Sequence, residues 1–275
     1  VLKKTGPIGI FDSGYGGLTV FREIVKELPD YDYIYLGDNA RVPYGTRSFE
    51  TVHQYTWQCV QALFEQGCSL VILACNTASA KALRTIQMDD LPSTHPDKKV
   101  LGVIRPTTEN IGRYTQTGHV GILATPGTVK SDSYKIEIER FFPEIRVYQE
   151  ACPIWVPLVE NNETDNLGAE YFVEKNISNL LKQSPEIDTL VLACTHYPLL
   201  FPLIRKFTPP SIQILQQGSL VAKSLRDYLN RHPEVDQKIE KQGEILFFTT
   251  ENPESFDEKG GLFFGKAVNS KQLIL

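Results

Sequence analysis

The chain has no surplus of positive charge: 28 Lys and Arg stand against 33 Asp and Glu in 275 residues, a formal net charge of -5 at pH 7. Without a basic field to hold a phosphate backbone, nucleic acid is excluded as the primary partner. No apolar run reaches the roughly 18 residues a membrane span needs, and residues 1–7 show neither the charged nor the apolar region of a signal peptide. A cytoplasmic protein without a membrane partner is expected. Cysteine is sparse and badly spaced for cross-linking. Cys59, Cys68, Cys75, Cys152 and Cys194 are odd in number, and no pair has two residues between its members. That excludes a small disulfide scaffold, a zinc knuckle and a redox dithiol, and it predicts free thiols. The five histidines form no close cluster, so no metal is expected.

Cofactor fingerprints are missing as well. Residues 12–17, DSGYGG, follow an apolar run as a phosphate cradle would, but Thr19 stands where the dinucleotide pattern needs glycine, and no Walker lysine follows. No lysine-anchored pyridoxal motif is evident. Glycines here let the backbone approach a small ligand. Asp12 then meets an ammonium, helps a neighbouring thiol move its proton, or simply caps the next helix.

What the chain does have is alternation. Apolar or β-branched runs at 8–11, 33–36, 69–74, 100–103, 120–123, 146–148, 189–193, 212–215 and 245–248 read as strands. Helix-period segments stand between them, such as Leu18, Phe21, Ile24, Val25 and Leu28 before Pro29. Strand followed by helix, repeated, predicts a parallel α/β sheet.

It also has an internal echo. Residues 70–79 read LVILACNTAS and residues 189–198 read TLVLACTHYP, placing Cys75 and Cys194 at equivalent strand ends. IGIFDSG from Ile8 is echoed more weakly by VGILATP from Val120. This predicts a duplicated domain in which each half brings one thiol to a shared cleft, since open parallel sheets bind ligands at the carboxyl ends of their strands. The proline- and charge-rich stretch 91–99, LPSTHPDKK, is the expected linker. The expected domains are 1–98, with 213–275 returning to it, and 99–212. The segment 253–275 has no pattern that places it.

A lone cysteine usually fills a core, and Cys59, Cys68 and Cys152 are read that way. Two at matched positions are read as chemistry. Asn76 and Thr77 after Cys75 are good helix caps, and a cysteine at a helix N-terminus favours thiolate. His196, two residues after Cys194, either assists that thiol or is structural. Residues 37–45, GDNARVPYG, are by composition only a loop at the sheet's ligand edge. Two facing thiols suit a carbon acid that loses a proton on one face and regains it on the other. A cysteine hydrolase or acyltransferase using Cys194 and His196 is the rival.

Together, DSGYGG from Asp12, GDNARVPYG from Gly37, ACNTASA from Ala74, PLVE from Pro157 and ACTHYPLL from Ala193 resemble the glutamate racemases of the cofactor-independent aspartate/glutamate racemase superfamily. The resemblance covers residues 8–205. It implies two similar parallel-sheet α/β domains related by a pseudo-two-fold axis, with the active site in the cleft between them. It further implies interconversion of L- and D-glutamate for peptidoglycan without a cofactor, and it admits a homodimer and activity on another small dicarboxylate such as aspartate. Carried over, Cys75 is the base toward D-glutamate and Cys194 the base toward L-glutamate. Asp12 assists the first thiol, and Glu160 and His196 assist the second. Asp12, Ser13, Tyr44, Gly45, Asn76, Thr77, Thr195 and His196 match the substrate contacts. Two segments depart from the pattern: Arg105-Pro106-Thr107 replaces Glu-Pro-Gly, and Gln216-Gln217-Gly218-Ser219 replaces Asp-Ser-Gly. Neither falls in the catalytic motifs.

Overall fold

Strand β1 (Ile8–Asp12) is buried along its whole length, as a strand covered on both faces of a parallel sheet should be. The computed structural model describes residues 5–275, so the first four residues of the stretch 1–7 read for targeting signals lie outside the described residues. In one sheet β1 is flanked by β2 (Tyr33–Gly37) and β3 (Leu70–Leu73), and the order is β10-β9-β2-β1-β3-β4. Here β4 is Lys99–Gly102, β9 is Ile245–Thr249 and β10 is Ser270–Gln272. The other sheet is ordered β6-β5-β7-β8, with β5 at His119–Ala124, β6 at Arg146–Ala151, β7 at Thr189–Ala193 and β8 at Gln213–Gln216. All pairings between named strands are parallel.

The run β2-β1-β3-β4 has the same order as β6-β5-β7-β8. Four strands are thus wound twice in the same way, and Cys75 and Cys194 each follow the third strand of a set. The chain divides into two compact units, one comprising Val1–Val103 with Gly218–Leu275, the other Ile104–Gln217.

Both breaks lie one strand beyond the positions that composition indicates. The stretch 91–99 is no linker, because β4 pairs with β3 with Val71 opposite Val100. Leu91 opens a short helix, Leu91–Thr94, and is buried in the cluster containing Ile86, Val71 and Val100. Pro92 sits in that helix's first turn, where its missing N–H is not needed. Similarly, β8 extends the second sheet beside β7, so residues 213–216 do not return to the first unit.

Helix α1 (Leu18–Glu27) buries Leu18, Phe21 and Ile24, and α2 (Phe49–Glu65) buries Val52, Cys59, Val60, Leu63 and Phe64. Ser48 caps α2 by accepting from the Thr51 amide at 3.1 Å. Each fully buried Leu, Val or Phe contributes about 1.5–3 kcal/mol of hydrophobic stabilisation. Residues 245–272 are anchored by aromatic packing: Phe21 meets Phe247 at 6.0 Å and Phe264 at 5.4 Å, while Tyr15 stacks on Phe256 at 5.3 Å.

Candidate active site

In the first unit, β1 and β3 are neighbours with Phe11 opposite Leu73, so the segments leaving them emerge side by side at the ligand edge of the sheet. The Ala74 amide donates to the Phe11 carbonyl at 2.8 Å and continues that pairing to the residue before the thiol. Cys75 is the N-cap of α3 (Asn76–Lys81). Its sulfur accepts from the Ala78 amide at 3.4 Å and lies 3.4 Å from the Ser13 hydroxyl. The amide is a fixed donor, and the Ser13 hydroxyl can donate to a thiolate or accept from a thiol. Asn76 and Thr77 follow, both almost completely buried.

Asp12 is fully buried and accepts from the Gly14 amide at 2.9 Å. A Cβ on Gly17 would fall 2.4 Å from the Asp12 Cβ, so only glycine lets α1 begin this close to the carboxylate. Tyr35 supports the same loop by donating to the Gly14 carbonyl at 2.8 Å. Burial, then the neighbouring Asp12 and Cys75, hold its phenol well above the usual range. Asp12, Cys75 and Tyr35 therefore share one electrostatic neighbourhood. Tyr35 escaped sequence reading because it lies inside an apolar strand with no motif around it.

In the loop that follows β2, Tyr44 is buried and its phenol donates to Asp38. Burial first, then Cys59 and Asp38, raise its pKa. With the ring packed beside Phe11 and Tyr55, what Tyr44 and Gly45 can present to a ligand is backbone.

The second unit builds its thiol differently. After β5, Thr125 caps the helix Pro126–Lys130 by accepting from the Thr128 amide at 3.4 Å. After β7, Cys194 does not cap an α-helix as Cys75 does. It precedes a 3-10 turn, Tyr197–Leu200, and its carbonyl accepts from the Tyr197 amide at 3.2 Å. Two prolines, Pro198 and Pro202, remove amides that a longer α-helix would need. A side chain stands beside this sulfur instead. His196 Nδ1 lies 3.9 Å from the Cys194 sulfur and its Nε2 lies 3.0 Å from Glu160 Oε1.

Burial lowers the basicity of His196, but its hydrogen bonds to Cys194 and Glu160, and their charges, outweigh that penalty and push its pKa up to about 10. At neutral pH the ring is an imidazolium held between sulfur and carboxylate. Glu160 ends the helix Trp155–Glu160, which is pinned by Trp155 packing edge-on against Tyr197 at 4.8 Å. Thr195, between the thiol and the histidine, is buried.

The structure thus gathers Asp12, Ser13 and Cys75 in one unit and Glu160, Cys194, Thr195 and His196 in the other. Cys59, Cys68 and Cys152 are completely buried, and burial raises each thiol's pKa, Cys68 to about 12. The two departures from the family pattern meet each other: Gln217 Nε2 donates to Thr107 Oγ1 at 3.0 Å and to the Tyr134 hydroxyl at 2.6 Å. Tyr134, raised chiefly by burial, also feels Cys194. These segments therefore stand nearer the second thiol than their sequence distance from the catalytic motifs implies.

The sequence profile described as Asp/Glu/Hydantoin racemase matches residues 8–224. The chain belongs to this family. Its members include a glutamate racemase of Streptococcus pyogenes serotype M6, 38% identical over 272 residues, which span 98% of this chain and 99% of that one. Among solved structures, a Bacillus anthracis glutamate racemase isoform superposes with a TM-score of 0.89 at 32% identity, covering 99% of this chain and 98% of that one. The Francisella tularensis glutamate racemase in complex with D-glutamate superposes at 0.86 with 30% identity, covering 98% and 97%. As a family member the chain is an isomerase of the racemase class. Among the described residues no group of three or more His, Cys, Asp and Glu is arranged to hold a metal, and no helix is long and apolar enough to cross a membrane.

Proposed function

We propose that the chain interconverts L- and D-glutamate by a two-base exchange between Cys75 and Cys194, as a cytoplasmic source of D-glutamate for peptidoglycan. The observation that carries this reading is the repeated strand order, which gives each half one thiol after its third strand, each with its own proton-handling partners. The relatives named glutamate racemase supply the substrate.

In one direction the thiolate of one cysteine takes the α-proton, leaving a carbanion, and the thiol of the other delivers a proton to the opposite face. The C–H bond broken and the C–H bond formed balance, and the two sulfurs exchange protonation states. Reversal begins from the exchanged state. A free cysteine near pKa 8.5 is only a few per cent thiolate at neutral pH, so activation is required. We assign it to Ser13 and the Ala78 amide at Cys75 and to His196 at Cys194, by their contacts with each sulfur. Asp12 and Glu160 complete the two proton relays. The carbanion needs hydrogen-bond donors at the substrate carboxylate in a site closed to water, and Asn76, Thr77 and Thr195 are assigned that task. The Tyr44–Gly45 backbone and Ser13 complete the substrate contacts.

The row Cys194, His196, Glu160 would also suit a cysteine hydrolase, but that reading leaves the Cys75 arrangement without a task. Incubation with L-glutamate in deuterated water separates the two. The racemase reading requires D-glutamate to accumulate with deuterium at the α-carbon and without added cofactor. Unexchanged glutamate would sink it.

A further inference from the structure

The loop 37–45, undistinguished by composition, is organised around a buried carboxylate. Asp38 is completely inaccessible to solvent. Arg41 Nε lies 2.7 Å from its Oδ2, Thr250 Oγ1 donates to its Oδ1 at 2.9 Å, and the Tyr44 hydroxyl donates to Oδ2. The guanidinium of Arg41 is itself fixed over the Tyr55 ring, 4.4 Å from its centroid, and reaches the Cys59 sulfur at 3.3 Å. Thr250 belongs to a segment far along the chain, just beyond β9, and binds the same loop through backbone as well. Its hydroxyl accepts from the Ala40 amide at 3.0 Å, its amide donates to the Gly37 carbonyl at 3.0 Å, and Thr249 donates to Asn39 at 3.2 Å.

A buried ion pair seldom repays its desolvation as well as apolar packing would, so its presence is better read as setting a geometry than as adding stability. What this one sets is the turn carrying Tyr44 and Gly45. Carboxylate, phenol and Thr250 hydroxyl form a continuous chain from the end of β9 to the Tyr44 ring.

We infer that Asp38 and Thr250 are positioning residues for substrate: by locking the Tyr44 ring they hold the Tyr44–Gly45 backbone where it meets the amino acid. This rests on the glutamate reading, which assigns that backbone to substrate contact. The segment after β9 thereby contributes to affinity without touching the ligand. Neither Asp38 nor Thr250 takes part in proton transfer, so the effect should fall on KM and leave kcat nearly unchanged.

The test uses the full chain and the variants Thr250→Val, which keeps the shape and removes the hydroxyl, Thr250→Ser, which restores it, and Tyr44→Phe. Each is assayed for racemisation of L- and D-glutamate, and amide hydrogen exchange is followed across residues 42–47. Loss of the hydrogen bond to Asp38, joined in Thr250→Val by loss of the one from the Ala40 amide, predicts a KM raised about tenfold or more in both directions for Thr250→Val and about tenfold for Tyr44→Phe, with kcat within about threefold. Exchange in residues 42–47 should speed up about tenfold, and Thr250→Ser should return both readouts to the parental values. Unchanged exchange in Thr250→Val, or a fall in kcat with KM unaltered, overturns the inference. Should the unaltered chain fail to racemise glutamate, the functional reading fails, and the exchange data alone then decide whether the clamp exists.

Discussion

His196 Nε2 lies 3.0 Å from Glu160 Oε1, on a ring whose other nitrogen faces the Cys194 sulfur. Hydrogen bonds to Cys194 and Glu160 together keep the imidazole charged against the cost of burial. Glu160→Gln removes the anion while preserving the hydrogen-bonding shape. The imidazole pKa should then fall below about 10, and kcat/KM should drop about 100-fold, the lower end of what a positioned acid–base group contributes. An NMR titration of His196 in both proteins checks the first outcome and a pH–rate profile the second. An unmoved imidazole pKa would sever Glu160 from the relay.

The same group predicts a stability dependence on pH. Its folded-state pKa lies above its unfolded value, so its contribution is fully present below about pH 6.5, the ordinary histidine value. That contribution is lost as pH rises through about 10. The difference in urea midpoint between the parent chain and His196→Gln should therefore shrink steadily across that window. A difference that grows with pH would contradict the cationic assignment.

Cys75→Ser and Cys194→Ser should each abolish racemisation, with losses of about a thousandfold or more, because a serine hydroxyl is a far poorer base than a thiolate. Circular dichroism should show both variants folded, since each substitution is nearly isosteric. Full turnover by either one would end the two-base scheme.

Ser13→Ala deletes the hydroxyl 3.4 Å from the Cys75 sulfur and leaves the Ala78 amide as its donor. The thiol should become less acidic and kcat/KM should fall about tenfold, the worth of one hydrogen bond to a charged group. In a Cys194→Ser background, the pH dependence of Cys75 alkylation should shift toward alkaline values. A profile indifferent to Ser13 would remove the hydroxyl from the activation of that thiol.

Gly17→Ala tests the closeness of α1 to Asp12. The new methyl would come within 2.4 Å of the Asp12 Cβ and 2.8 Å of its Cγ, so the carboxylate or the helix must move. Overpacking of this kind destabilises by about 1–3 kcal/mol. Activity should fall further than stability accounts for, which paired thermal melts and rate measurements at saturating glutamate would reveal.

Much of this architecture is legible in the sequence because strands buried on both faces become unbroken apolar runs. That is why β1, β3, β5 and β7 emerge within a residue or two of their observed limits. The two thiols are legible through repetition. The polar edge strand β10, reading SKQ, has no apolar signature, and residues 91–99 are loop-like apart from one anchoring leucine. The turn after Cys194 is ambiguous because Pro198 suits the start of an α-helix and a 3-10 turn alike. The role of Asp38 is invisible because Thr250, which orients it, stands 212 positions away. Pairings of that length leave no local trace.

The interrupted course of the first unit also orders events on the ribosome. Ile34 of β2 finds its neighbour Leu246 only after the whole of the second unit has been translated. Until then β2 is a nascent edge with unpaired peptide groups, open to misassociation with other chains. Delivery of β9 closes that edge and brings Thr250 to Asp38, so maturation of the turn 37–45 and protection of the sheet coincide in one late step of biogenesis.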